Sequence, residues 1–242
     1  MGERLFGARV RRREDARLVS GRGRYVADTT HPGLLHVAVQ RSPHAHARIV
    51  RVDAADARRQ PGVVHVQVPA DVAALGRLPL LVPHASLVAP ACPEILPQEI
   101  VSYAGQPVAL VVAESAAEAQ DALEALRVEY EPLPAVASLE EALSADGPRV
   151  HPGGNVASRF AQRVGDPAGE LARAPVVLRE RFHLHRGAGM AMETRAIAAR
   201  WDGDLGQITV WSTTQAPQSC ANVSRTARIR PSRVSPISTS CH

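Results

Sequence analysis

A chain of 242 residues with 45% apolar and 21% charged side chains has the composition of one large globular domain or two ordinary ones, not of a disordered protein. The net charge is +4 and the pI about 9.5, yet no lysine occurs. Apart from Arg9 to Arg13 and the tail, the basicity is arginine scattered among acids, with too few aromatics (3%) for a single-strand nucleic-acid groove. Cys92, Cys220 and Cys241 lack C-x-x-C spacing, which excludes an iron–sulfur or zinc framework, and their odd, sparse count points to a reducing compartment, so a cytoplasmic location is expected.

No apolar run is long enough to span a bilayer, and the N-terminus lacks the apolar core of a secretion signal. Residues 1–18 read as a polar, basic surface arm or a strap along a partner. Gly21 and Gly23 make a turn into a short extended piece. LLHVAVQ (34–40) is predicted as a strand, and Ile49, Val50 and Val52 continue as a second one after the loop RSPHAH. Asp53 can cap a short helix, AADARR, ended by Pro61-Gly62. VVHVQV (63–68) predicts a strand with Val64, Val66 and Val68 on one face, and Asp71 opens another short helical piece. Residues 77–100 are rich in proline and read as a surface excursion.

Residues 103–135 are the best specified. Val108 to Ala113 is a continuous apolar run, the pattern of a strand buried on both faces. Ser115 and Glu118 have capping-box spacing, and Ala116, Ala119, Leu123 and Leu126 form the apolar stripe of a helix. Val128 and Tyr130 alternate with charged neighbours as a further strand, stopped by Pro132 and Pro134. The three elements suggest a βαβ-like unit. Ser138 and Glu141 give a second capping box, for LEEAL. DGPRVHPGGN (146–155) reads as a linker. VVLRERFHLH (176–185) alternates as a long strand, followed by strands over 192–201 and 207–213. The strands after residue 175 follow one another as in an antiparallel sheet, so the class is α+β.

The chemistry legible from residue types alone is sparse. His44 and His46 have H-x-H spacing, but no further ligand lies near, so they read as loop-shaping residues rather than a metal site. Glu193 and Arg195 in METR read as a structural ion pair or backbone anchor. No G-x-S-x-G elbow marks a hydrolase, and GRGRY lacks the strand–turn–helix setting of a dinucleotide loop.

The order of motifs goes further. GRGRYVAD, LLHVAVQRSPHAHARI, PGVVHV, YAGQPVALVVAE, EAQDALEALRVEYEPLPAV, METRAIAARWD and ITVWSTTQAP follow one another along the chain. Together they resemble the N-terminal part of the large, molybdenum-binding subunit of the xanthine dehydrogenase, aldehyde oxidase and aerobic carbon monoxide dehydrogenase family. HRGAGMAMETR is more similar to the carbon monoxide/aldehyde branch. The resemblance implies an α/β hammerhead domain over residues 19–137, a linker at 138–149, and the beginning of the first molybdopterin-binding domain over 150–218. It implies hydroxylation of an activated carbon, or oxidation of carbon monoxide, with water as oxygen source. It implies molybdenum held by molybdopterin cytosine dinucleotide, with an iron–sulfur small subunit and an FAD-binding medium subunit as partners.

One site residue carries over. Gln215, in TTQAP, matches the family glutamine whose side chain lies beside the molybdenum's oxygen ligands, a place where an amide can donate a hydrogen bond without adding charge. No catalytic residue and no protein metal ligand is assigned in this chain. The Gly-rich loop and general-base glutamate that the family places further on are not in this sequence. Residues 219–242 carry Arg, Ser, Pro and Cys without apolar periodicity and read as a disordered or frameshifted tail. The expectation is a truncated piece of the enzyme, inactive alone, with a non-enzymatic assembly module as the alternative.

Overall fold

A computed structural model describes residues 6–80, 83–89, 92–184, 187, 189–191 and 193–214. In chain order its elements are α1 (Asp15–Val19), β1 (His36–Arg41), β2 (Ala47–Asp53), β3 (Val63–Gln67), α2 (Pro69–Val72), β4 (Ile100–Val101), β5 (Pro107–Ala113), α3 (Ala116–Glu124), β6 (Arg127–Pro132), α4 (Leu139–Leu143), α5 (Pro167–Arg173), β7 (Ile197–Asp202) and β8 (Gln207–Ser212). The described residues within 33–188 form one compact unit, and those within 1–32 and 189–221 form another.

The larger unit is organised around β5. It is the middle strand of a sheet ordered β1-β5-β3, antiparallel to both neighbours, with Ala38 and Val66 both opposite Val111. A second sheet is ordered β4-β2-β6. Alternate residues of a strand face opposite sides. Ala109 and Val111 therefore point into one core, with Val66, Ala122, Leu123 and Leu126, while Val108 points into another, with Ala47 and Val101. The unbroken VALVVA run is thus a strand shared by two cores. Burying a valine of this kind stabilises by roughly 1.5–3 kcal/mol. Gly105, at φ 88°, makes the turn that launches it; the Ser42 and Gln106 backbones close that turn (2.9 Å).

α3 is capped as its sequence predicts. The Ser115 hydroxyl accepts from the Glu118 amide (3.2 Å) and donates to the Glu118 carboxylate (2.8 Å). Ala119, Ala122 and Leu123 form its buried side. α4 repeats the device. Ser138 accepts from the Glu141 amide (3.1 Å), and the Glu141 carboxylate accepts from the Ala137 amide (2.9 Å).

Several local expectations change. β5, α3 and β6 are not a parallel βαβ unit: β6 leaves the β5 sheet and pairs antiparallel with β2, matching Val52 with Val128 and Ile49 with Tyr130. The alternation of β6 was legible in the sequence, but its partner strand was not. Val64 does not share a face with Val66. The register shifts between Val63 and His65, which turns Val64 outward (56% exposed) and packs Val63 on the core instead. Asp71 is not the first residue of its helix; Pro69 opens α2, and Asp71 reaches back to accept from the Val68 amide (3.0 Å). The stretch over 77–100 is not wholly superficial, because Leu96 is 2% exposed. The Gln98 amide anchors this stretch, donating to the carbonyls of Pro69 (2.7 Å) and Leu96 (3.2 Å).

The largest departure is VVLRERFHLH. Residues 176–184 form no strand, and Leu178, Phe182 and Leu184 are 84%, 85% and 91% exposed. Alternation makes a strand only where another strand completes its ladder. Among the described residues none does so here.

Candidate functional site

The smaller unit holds the approach to Gln215. β7 and β8 form an antiparallel hairpin, with Trp201 opposite Ile208 and Ala198 opposite Trp211. Its turn is fixed by the Asp202 carboxylate, which accepts from the amides of Asp204 (3.1 Å) and Leu205 (3.0 Å). The open end is held by Thr213. Its hydroxyl accepts from the Ala196 amide (3.0 Å), and its own amide donates to the Ala196 carbonyl (3.2 Å). The next residue but one is Gln215, which lies outside the described residues, as does the stretch 219–242.

Two contacts brace this hairpin against the segment 25–31. The Glu193 carboxylate accepts from the Val26 amide at 2.7 Å, across 167 residues of sequence. The His31 ring lies against the Trp211 indole, centroids 4.8 Å apart and tilted by 39°. Glu193 is thus a backbone anchor, one of its two expected roles. A charge-assisted bond to a main-chain amide is stronger than a neutral one. Sequence reasoning did not find His31. The H-P-G turn that carries it has no spacing relation to Trp211.

His44 and His46 shape a loop. The His46 ring is buried, with Nδ1 2.7 Å from the Pro134 carbonyl oxygen, and the His44 ring meets Tyr130 edge-on at 5.1 Å. Burial pushes the Tyr130 phenol above its ordinary 10.0, against a smaller opposing pull from the Ser42 hydroxyl. The Ala55 amide, more than the Arg51 guanidinium, holds the Asp53 carboxyl below its ordinary 3.8, with partial desolvation opposing both. Among the described residues no three His, Cys, Asp or Glu side chains gather as metal ligands.

The larger unit also contains a cleft of about 700 Å³, lined in part by Arg77, Cys92, Glu94, Gln98, Tyr103 and His151. Several of its polar groups are engaged within the fold. The Glu94 carboxylate accepts from the Gln98 main-chain N–H (2.8 Å) and lies 3.8 Å from the Arg77 guanidinium, and Gln106 Oε1 accepts from the Ser102 main-chain N–H (2.7 Å). Sequence reasoning missed the cleft because its walls come from irregular, proline-rich chain. No helix among the described residues is long and apolar enough to cross a membrane.

Two small antiparallel sheets, one of them centred on a strand shared by two cores, and a braced hairpin over 197–212 make up the described scaffold. Residues 20–134 match the a/b hammerhead domain of aldehyde oxidase and xanthine dehydrogenase, and residues 150–240 match the molybdopterin cofactor-binding domain. The chain belongs to this molybdenum-dependent oxidoreductase family, as a hammerhead domain and the start of a molybdopterin-binding domain. It is 36% identical over 213 residues to the gamma subunit of the 6-hydroxypseudooxynicotine dehydrogenase complex of Paenarthrobacter nicotinovorans, covering 86% of this chain and 27% of that one. It is 34% identical to the carbon monoxide dehydrogenase large chain of Afipia carboxidovorans, covering 88% and 27%. Quinoline 2-oxidoreductase of Pseudomonas putida superposes with a TM-score of 0.79 at 36% identity, over 95% of this chain and 29% of that one. Aldehyde oxidoreductase of Desulfovibrio gigas gives 0.81 at 27% identity, over 95% and 26%. The chain spans about a quarter of the length of the curated relatives it matches.

Proposed function

We propose that the chain is the N-terminal part of the molybdenum-binding large subunit of a hydroxylase that acts on an aldehyde, an N-heterocycle or carbon monoxide, with water as oxygen source. The observation that carries this reading is the order of the two family matches along one chain, supported by a relative at 34% identity named as a carbon monoxide dehydrogenase large chain. In this reading residues 19–137 are the hammerhead domain and residues 150–218 open the cofactor domain. The cofactor is molybdopterin cytosine dinucleotide. An iron–sulfur small subunit and an FAD-binding medium subunit take the electrons, in the cytoplasm.

The cofactor, when bound, supplies the redox chemistry. What this chain adds is position. Thr213 and Ala196 lock the end of the hairpin, Glu193 and His31 brace it, and Gln215 offers an amide N–H to the bound group without adding charge. A buried cofactor of that size needs polar groups converging from several walls, and this chain offers one predicted contact, Gln215. The described residues fit the role of one wall. The isolated 242-residue chain is therefore expected to be inactive.

Elemental analysis of the chain purified alone tests this directly. The expected result is molybdenum far below one atom per chain. Near-equimolar molybdenum would show that these residues hold the cofactor unaided, and the partial-site reading would fall. The assembly-module alternative draws on the exposed Leu178, Phe182 and Leu184, which offer an apolar edge to a second chain. It predicts the same metal content, and it places the rest of the molybdenum site on a separate partner chain that this chain binds as a stable piece.

A further inference from the structure

Residues 25–31 fall within the span that matches the hammerhead domain, yet they pack with the β7–β8 hairpin in the smaller unit. The segment is stiff. The Tyr25 amide donates to the Asp28 carboxylate (2.9 Å), the Asp28 amide to the Tyr25 carbonyl (3.0 Å), and the Thr29 amide to the Val26 carbonyl (3.0 Å). Pro32 follows, and a proline biases the backbone of the residue before it towards extended conformations. The segment therefore presents the Val26 amide and the His31 ring at set places. The Glu193 carboxylate accepts from the amide (2.7 Å), and the ring lies on the Trp211 indole, 4.8 Å between centroids.

A ring against a ring is ordinarily packing and no more. The place of this contact points further. Trp211 stands two residues before Thr213, whose hydroxyl and amide lock the open end of the hairpin to Ala196, and four before Gln215. The cross-strand neighbour of Trp211 is Ala198, whose methyl covers little of an indole. His31 supplies the larger surface. Its Nε2 is buried and has no hydrogen-bond partner among the described residues, so the ring face, and not a hydrogen bond, holds the indole.

We propose that His31 is a positioning residue for Gln215. Its ring pins Trp211; the pinned indole and the Thr213 lock together fix the end of β8, and the amide two residues beyond is delivered to one place. This inference rests on the reading above that Gln215 faces the bound cofactor. A displacement of about 1 Å at such a group, caused from a distance, can cost about a hundredfold in rate.

Two preparations test the role. In the isolated 242-residue chain, hydrogen exchange over residues 207–214 should quicken about tenfold or more in His31→Ala and stay near the native rate in His31→Phe, which keeps an aromatic face. Exchange over residues 107–113, in the other unit, should not change in either. Unchanged exchange over 207–214 in His31→Ala would overturn the proposal. In the cofactor-loaded holoenzyme from source cells, His31→Ala should lower kcat per bound molybdenum about tenfold or more with KM unchanged, and should shift the paramagnetic resonance spectrum of the metal. His31→Phe should restore both, and Gln215→Ala should cause the same two changes. His31→Leu serves if the alanine variant does not load. A merely structural ring would lower the yield of loaded enzyme and leave rate and spectrum per bound metal at native values, which would overturn the proposal. So would a His31→Phe variant as impaired as His31→Ala. If Gln215→Ala alters rate and spectrum while His31→Ala alters neither, the positioning role falls and the reading of Gln215 stands. If Gln215→Ala alters neither, both fall.

Discussion

β5 and the stretch 176–184 are both apolar-rich and both read as strands, yet only one is a strand. Val108 and Val111 in β5 are fully buried on a strand held between β1 and β3, Val111 beneath α3 and Val108 in the opposite core. Leu178, Phe182 and Leu184 have comparable side chains and stand almost entirely in solvent. The difference lies in partners and not in composition. β5 has an antiparallel neighbour on each side and a core on each face, and the other stretch has neither among the described residues. A strand pattern is a statement about what a segment can pair with. Whether the pairing partner lies within these 242 residues is a separate fact.

Charge substitution gives the sharpest break. Val111→Asp places an unpaired carboxylate among Val66, Ala109 and Leu123 and should cost about 3–5 kcal/mol, enough to unfold a typical domain. Leu178→Asp should stay within about 0.5 kcal/mol of the parent, because its side chain leaves no contact behind. Urea titrations of the two variants make the comparison. Equal losses would mean that 176–184 packs in solution.

Gly62→Ala comes next. Gly62 sits at φ 72°, and an added Cβ would lie 2.3 Å from the Glu118 carboxyl carbon. The left-handed backbone and the displaced α3 cap together should cost about 2 kcal/mol. Ser115→Ala alone removes the cap and should cost about 1 kcal/mol. A thermal melt of each orders them.

How much of this was legible in the sequence follows the same line. The Ser115–Glu118 and Ser138–Glu141 caps, the strand at 108–113 and the hairpin over 197–212 were legible because each is decided by residues within a few positions of one another. The pairing of β6 with β2, the outward turn of Val64 and the burial of Leu96 were not, because each depends on a partner distant in sequence. The site followed the same rule. Glu193 was legible as an anchor by its residue type and motif. Its partner, the Val26 amide, and the His31–Trp211 contact were not, because nothing in the spacing links residues so far apart. Gln215 was reached through a motif, and its geometry lies outside the described residues.

The smallest expected effect is on titration. The Tyr130 phenol is raised above its ordinary 10.0 mainly by burial, so the unfolded chain ionises first. Its contribution is complete below pH 10 and is lost as pH rises from there through the folded value. In an ultraviolet titration Tyr130 should ionise above the ordinary tyrosine range, and stability should begin to fall above about pH 10. Tyr130→Phe should remove that step from the stability curve.

The most direct test of the contrast between the two regions is native-state hydrogen exchange of the isolated chain, read peptide by peptide. The account predicts the slowest exchange over residues 107–113 and exchange near the unprotected rate over residues 176–184, with the latter becoming protected once the chain is part of a complete large subunit. Strong protection of 176–184 in the isolated chain, comparable to that of β5, would contradict it.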